Sequence, residues 1–355
     1  SALLTESALW ARTVRDRPVE TIFLGGGTPS LNPVEEMERL LAGLRETFHV
    51  LPAAEISLEA NPGSVAVAYL EGLRRIGFNR VSIGVQSFDD DELRALERLH
   101  SGAEAAEAYC VARAAGFDNV NLDLIYGLPE QPLEAWQRSL DRAIELAPEH
   151  LSLYALTVED GTPLARDVAR GRSSAPDPDV QADHYEWTQE RMARAGYEHY
   201  EISNWARPGF ACRHNLIYWQ ARDYLGLGAG AHSHLGGHRF STVLLPGRYI
   251  ELVNESAQPD AQGRTTMRHL AGGEPVTPEM AMSDTVILGL RLAEGVDEAA
   301  FARRFGRGID EAYGGVIEEF AGYGIVERAD GRLRLTPRGR LLSNELFARL
   351  LPETA

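Results

Sequence analysis

The run Val19-Glu20-Thr21-Ile22-Phe23-Leu24, followed at once by Gly25-Gly26-Gly27-Thr28-Pro29-Ser30, constrains this chain more than any other stretch. An apolar, β-branched segment of that length reads as a buried strand. Three successive glycines then permit backbone torsions, and a closeness of approach, that no Cβ-bearing residue allows. Asn32 as N-cap, Pro33 at the first helical position and Glu35 as the second half of a capping box predict a helix directly afterwards. Strand, glycine loop and helix N-terminus together offer free N–H groups to an anion or a polar cofactor. A tight βα turn without a ligand is the plainer reading of the same residues.

The first half of the chain repeats that alternation. A helix over Ala2 to Arg15 precedes the opening strand, and a helix from Pro33 to Phe48 follows it. Strands are expected at Glu55–Ala60, Arg80–Val85, Asn119–Ile125 and His150–Leu156. Between them lie a helix capped by Ser64 and ending at Gly77, a short acidic helix opened by Asp89, and a helix with a Ser101-x-x-Glu104 capping box ending at Gly116. A further helix runs from Leu133 to Leu146. Strands separated by such helices imply parallel βαβ units, in an open sheet or a barrel. Polar residues fall at the strand C-terminal ends: Glu59, Gln86 with Ser87, and Asp123. In both architectures the site lies beyond that edge. With the glycine loop they make a pocket able to hold an amine, a ribose or a carboxylate. Arg98 reads either as a cationic clamp or as a surface ion pair.

Charge and composition exclude several alternatives. The chain carries 35 basic and 52 acidic residues, a net charge of −17, which argues against a general nucleic-acid or anionic-membrane surface. Every basic residue is arginine, so Schiff-base lysine chemistry and a Walker-type phosphate loop are ruled out. The two cysteines, Cys110 and Cys212, with no signal peptide or long apolar run, point to a cytoplasmic protein. Cys110 falls in mid-helix and is expected to be a buried cysteine.

Beyond Thr157 the pattern changes. A helix over Asp179–Ala195 and a tyrosine-rich strand over Tyr197–Ile202 lead to Cys212-Arg213-His214-Asn215-Leu216-Ile217-Tyr218-Trp219. His214 and Tyr218 stand four apart and share a helical face, with Trp219 beside them. Imidazole can ligate haem iron, and Tyr and Trp offer flat walls to a macrocycle; a histidine bonded within an aromatic core fits the same residues. Tyr224-Leu225-Gly226-Leu227-Gly228-Ala229-Gly230-Ala231 misses the dinucleotide fingerprint and reads as close backbone packing. His232 and His234, two histidines without a third ligand, read as loop residues. The C-terminal third is expected to hold helices at Pro278–Leu292, Asp297–Phe305 and Ile309–Tyr323, a hairpin turning at Asp330-Gly331, and a helix at Pro337–Leu350. That order resembles a winged helix. Glu318, Glu319 and Glu327 among the arginines leave no basic stripe, so no nucleic acid is expected as partner.

Thr21–Ser30, Leu58-Glu59-Ala60-Asn61-Pro62, Val81–Phe88 and Asp123-Leu124-Ile125-Tyr126-Gly127-Leu128-Pro129 resemble, in order and spacing, the radical S-adenosylmethionine (SAM) enzymes related to oxygen-independent coproporphyrinogen III oxidase. The resemblance implies a partial (β/α)6 barrel with a small, mostly helical, winged-helix-like C-terminal domain. It implies residues 1–160 as barrel core, 161–270 as barrel completion with the haem motif, and 271–355 as the C-terminal domain. It implies that Gly26, Gly27, Thr28, Glu59, Gln86, Arg98 and Asp123 contact SAM. His214, Asn215, Tyr218 and Trp219 match the His-Asn-x-x-Tyr-Trp pattern of the family's haem-chaperone branch. His214 is then the candidate iron ligand, with Cys212 and His232 as weaker second ligands. The function so implied is haem binding and transfer to a respiratory acceptor protein, either membrane-associated or free; the alternative is the oxidase, acting on coproporphyrinogen III by SAM radical chemistry.

One departure stands against these matches. The family carries a Cys-x3-Cys-x2-Cys loop for a [4Fe–4S] cluster, and this chain has no such triplet. The expectation is that the first strand and the cluster loop have been lost ahead of residue 1, and radical chemistry is not expected from these residues alone. The Thr21–Leu24 strand would then present an open edge, available for pairing with a second copy in a homodimer.

Overall fold

The computed structural model describes residues 1–258 and 265–352. The chain divides into two compact units, one of Ser1–Glu20, Glu38–Ala54 and Arg213–Ala355, the other of Thr21–Met37 and Glu55–Cys212.

The principal sheet has seven strands: β1 (Pro18–Leu24), β2 (His49–Ala60), β3 (Arg80–Gln86), β4 (Val120–Tyr126), β5 (His150–Ala155), β6 (Glu198–Glu201) and β7 (Asn204–Ala206). Their order is β1-β2-β3-β4-β5-β7-β6. Strands β2 to β5 pair in parallel, each reached through helices, as the alternation of apolar runs and capped helices requires. The sheet ends on β7 and β6, both antiparallel. The strand expected at Tyr197–Ile202 is β6, and the chain turns back after Glu201 to add β7.

Strand β3 shows how the sheet is covered. Val81, Ile83 and Val85 are fully buried. Arg80 and Ser82, on the opposite face by the two-residue period, are buried as well. Register places Glu59 opposite Ser82, Ser82 opposite Asn121, and Asn121 opposite His150. One face of the sheet is therefore a polar layer, where a self-sufficient core would have Val, Ile and Leu.

Local capping follows the sequence in most places. Asp89 accepts from the N–H groups of Asp91 and Glu92, and Ser101 with Glu104 forms the full capping box of the helix Gly102–Ala114. Ser64 is not the helix cap it was expected to be. It lies in a 3-10 turn, Pro62–Ser64, donates to the Asn61 carbonyl at 2.7 Å and meets the Ser30 hydroxyl at 2.6 Å, and the helix starts later, at Val67. Cys110 is exposed, contrary to expectation. The buried stripe of its helix is Ala105, Ala108, Tyr109 and Ala112, and Cys110 falls off that stripe.

In the other unit, the strands His232–Leu235, His238–Thr242 and Leu270–Pro275 form an antiparallel sheet. Towards the C-terminus, helices Pro278–Arg291, Glu298–Phe305 and Ile309–Gly322 accompany a three-stranded sheet of Val296–Asp297, Arg332–Leu335 and Val326–Ala329. That is the winged-helix arrangement, with Asp330 and Gly331 at the turn, both at positive φ. The last helix is two pieces, Pro337–Leu341 and Ser343–Leu350, and not one. No helix among the described residues is long and apolar enough to cross a membrane.

Candidate functional sites

The residues implicated by the sequence fall into two groups, one in each compact unit. In the first, the glycine loop leaves β1 with Gly26 at φ +79°, and neither Gly26 nor Gly27 has a heavy atom within 4 Å of where a Cβ would stand. The loop is open on its side-chain side. Glu59, at the end of β2, accepts a hydrogen bond from the Gly26 N–H. Burial, and then the nearby Asp123 carboxylate, raise the Glu59 carboxyl above its ordinary value, and the Gly26 bond opposes them. Asn61 donates to the Thr28 hydroxyl at 3.2 Å, fixing the loop from β2.

Gln86 sits at φ +67°, where a side-chain-bearing residue is uncommon. The register of β3 against β4 slips between Gly84 and Gln86, a bulge that re-aims the end of the strand. Left-handed torsions and bulges collect at functional sites, and both occur at a residue already selected on chemistry. Arg98 is exposed after the short acidic helix.

Asp123, on β4, is half-buried and fully engaged. Its two oxygens accept from the Ser82 hydroxyl and the Asn121 amide, each at 2.8 Å. Burial raises its carboxyl, while bonds from Ser82, Ser152 and Asn121 and the charge of Arg80 counter that rise. The turns beyond β3 and β4 are braced to each other. Glu92 accepts from Ser87 at 2.5 Å and from Gln131 at 2.8 Å, and Gln131 in turn accepts from the Gly127 N–H at 2.7 Å. Sequence reading missed this brace, since Glu92 and Gln131 are 39 positions apart.

The second group lies on the helix Arg213–Trp219. His214 Nε2 and the Tyr218 hydroxyl are 2.9 Å apart, as their four-residue spacing predicts. The ring of Tyr218 meets Tyr224 edge-on at 4.7 Å, and Tyr224 neighbours His234 at 6.3 Å. Trp219 lies under the guanidinium of Arg291, 4.4 Å from its ring. His214, Tyr218 and Trp219 are all half-buried, which leaves an aromatic surface with an imidazole on it. His232 is exposed, whereas Cys212 is buried with its thiol 3.6 Å from Glu55. Gly226 in the glycine-rich stretch packs its backbone tightly: a Cβ there would stand 2.2 Å from the His232 carbonyl.

A parallel sheet whose strand ends carry a glycine loop, an acceptor carboxylate and a strained glutamine defines the class. The Radical SAM superfamily profile matches residues 4–143, and that of the HemN C-terminal domain matches residues 276–342. The solved structure of the Escherichia coli coproporphyrinogen III oxidase HemN superposes with a TM-score of 0.81 at 26% identity, covering 98% of this chain and 81% of that one. The heme chaperone HemW of Mycobacterium tuberculosis is 40% identical over 350 residues, 99% of this chain and 85% of the relative. The Bacillus subtilis HemW is 36% identical over 94% of this chain and 86% of its own length. The chain belongs to the heme chaperone HemW family.

Proposed function

We propose that this protein binds haem on the His214–Trp219 helix and passes it to a haem-requiring acceptor, a respiratory protein. The observation that carries the reading is the half-buried aromatic surface of Tyr218 and Trp219 with the His214 imidazole at its edge. Haem needs an axial nitrogen and apolar flat walls; His214 and Tyr218 share one face of this helix, and Trp219 stands beside them. Relatives that bear the name heme chaperone support the assignment. Delivery requires release, and a ligand that also hydrogen-bonds a neighbouring hydroxyl has a resting state to return to.

In the other unit, the site at the strand ends suits SAM. The Glu59 carboxylate is an acceptor for the α-ammonium. Asp123 and Gln86 offer acceptors and a donor to the ribose and carboxylate, with Arg98 as the cationic member. Gly26, Gly27 and Thr28 leave backbone room beside them. The open Cβ positions of Gly26 and Gly27 support the fit. The [4Fe–4S] cluster does not fit the residues present. Cys110 is exposed on one helix, Cys212 is buried against Glu55, and among the described residues no group of three or more His, Cys, Asp or Glu could hold a metal ion. The oxidase is the second reading, because the relatives at 36–40% identity bear the name heme chaperone.

Co-elution tests the proposal. The purified chain mixed with haem and passed through a sizing column should carry haem with it, then lose it to apomyoglobin added in excess. Haem that elutes free, from a chain that is demonstrably folded, would overturn it.

A further inference from the structure

The polar layer beneath the strand ends contains a buried chain of hydrogen bonds whose direction can be assigned. Asn121 Nδ2 lies 2.8 Å from Asp123 Oδ1 and 2.7 Å from the Ser82 hydroxyl. A carboxylate oxygen cannot donate to an amide oxygen, so the amide nitrogen must face Asp123 and the amide oxygen must face away. That oxygen, Asn121 Oδ1, lies 2.6 Å from His150 Nδ1. Since it can only accept, His150 carries its proton on Nδ1. The other ring nitrogen, Nε2, is then an acceptor, and the Tyr200 hydroxyl donates a hydrogen bond to it at 2.8 Å. Ser82, having accepted from Asn121, donates to Asp123 Oδ2 at 2.8 Å. The chain runs one way, from Tyr200 through His150 and Asn121 to both oxygens of Asp123.

His150 is wholly buried, with Asn121 and Ser152 nearly so. Burial, and then the charge of Arg80, hold the imidazole neutral by lowering its pKa well below the usual histidine value. A neutral ring is required for this chain, because an imidazolium could not accept from Tyr200. The groups facing Asp123 are Glu59 on β2, Arg80 on β3 and Tyr154 on β5, and those facing His150 are Arg80 and Tyr200.

We infer that His150 is a positioning residue for the cofactor-facing carboxylate Asp123. As an oriented neutral donor it fixes Asn121, so that Asp123 is presented with both oxygens accepting. The inference deepens the SAM reading of this site and rests on it for its functional consequence. The assignment of the proton rests on the hydrogen bonds alone.

Two measurements test it. In the 15N spectrum of the histidine-labelled wild-type protein, His150 should show a protonated, pyrrole-type Nδ1 and a pyridine-type Nε2, unchanged from pH 7.5 to 5.5. The opposite tautomer, or a ring that becomes doubly protonated in that range, would overturn the inference. Calorimetric titration with SAM then reads the consequence. His150→Leu should weaken binding by roughly ten-fold, the loss of one hydrogen bond to a charged system. His150→Asn, whose amide can donate from near the Nδ1 position, should stay within about three-fold of wild type. Asp123→Asn serves as the reference. If it weakens binding while His150→Leu does not, the positioning role is refuted. If Asp123→Asn binds SAM as well as wild type, the cofactor reading falls instead, and the tautomer alone then decides the orientation.

Discussion

Glu6 is a wholly buried carboxylate on the N-terminal helix, and its removal should be costly. The Tyr249 hydroxyl donates to its Oε2 at 2.5 Å and the Gly228 N–H donates to the same oxygen at 2.9 Å. His269 Nε2 lies 3.1 Å from the other oxygen, close enough for an ion pair although not aligned for a hydrogen bond. Through Gly228 the carboxylate fastens the glycine-rich stretch that follows Tyr224, and Ala2, Tyr249 and Val253 with Ala229 and Val243 pack around the joint. Glu6→Leu keeps the volume and leaves the Tyr249 and Gly228 donors without an acceptor. Each buried, unsatisfied donor costs about 1–3 kcal/mol, so the loss is about 2–6 kcal/mol. For a unit of this size that lowers the melting temperature by roughly 4–24 °C. Glu6→Gln, whose amide oxygen can accept from both donors as Oε2 does, should lose much less. Scanning calorimetry of the three proteins reads this directly. A shift below about 1 °C for the leucine variant, or a glutamine variant worse than leucine, would refute the role assigned to Glu6.

Tyr218→Phe deletes the hydroxyl bonded to His214 Nε2 and should strengthen haem binding several-fold, about 1 kcal/mol, in an optical titration; weaker binding would mean that the hydroxyl itself contacts haem. Because Glu59 has a raised pKa in the folded protein, the native state holds its proton more tightly than the unfolded chain. Its contribution to stability therefore falls as pH rises from about 4.5 through the raised folded value and is level above it. Urea unfolding from pH 4 to 7 should show Glu59→Gln gaining on wild type as pH increases, whereas a gain towards low pH would reverse the sign. A thiol reagent should modify Cys110 rapidly in the native protein and Cys212 only on unfolding, since only the first is exposed; two equally fast thiols would contradict the fold around Glu55.

The parts of the fold that could be read in the sequence are those in which local chemistry decides. The apolar runs of β3, β4 and β5 have no competing period. Asp89 and Ser101 cap because their own side chains reach the next turn. The His214–Tyr218 contact followed from helical spacing alone. What was missed depends on distant partners. Leu270–Pro275, with two glycines and a proline, has no strand signal, and it is a strand only because it pairs with His238–Thr242. Asn204–Ala206 is three residues long and exists through β5. Ser64 looked like a cap, but Ser30, from a different segment, competes for its hydroxyl. In the first site the individual residues Glu59, Gln86 and Asp123 were legible as polar groups at strand ends. The bulge at Gln86 and the bonded series of Tyr200, His150 and Asn121 were not, since neither spacing nor composition encodes a register shift or a contact between strands.

The most direct test of the central claim is an optical titration of the purified chain with haem, run beside His214→Ala. The account predicts saturation at one equivalent for the wild-type protein and a displaced or weakened Soret band in the variant. Saturable binding with an identical spectrum in His214→Ala would remove the ligand from this helix, and a folded chain that shows no saturation would contradict the haem-binding function itself.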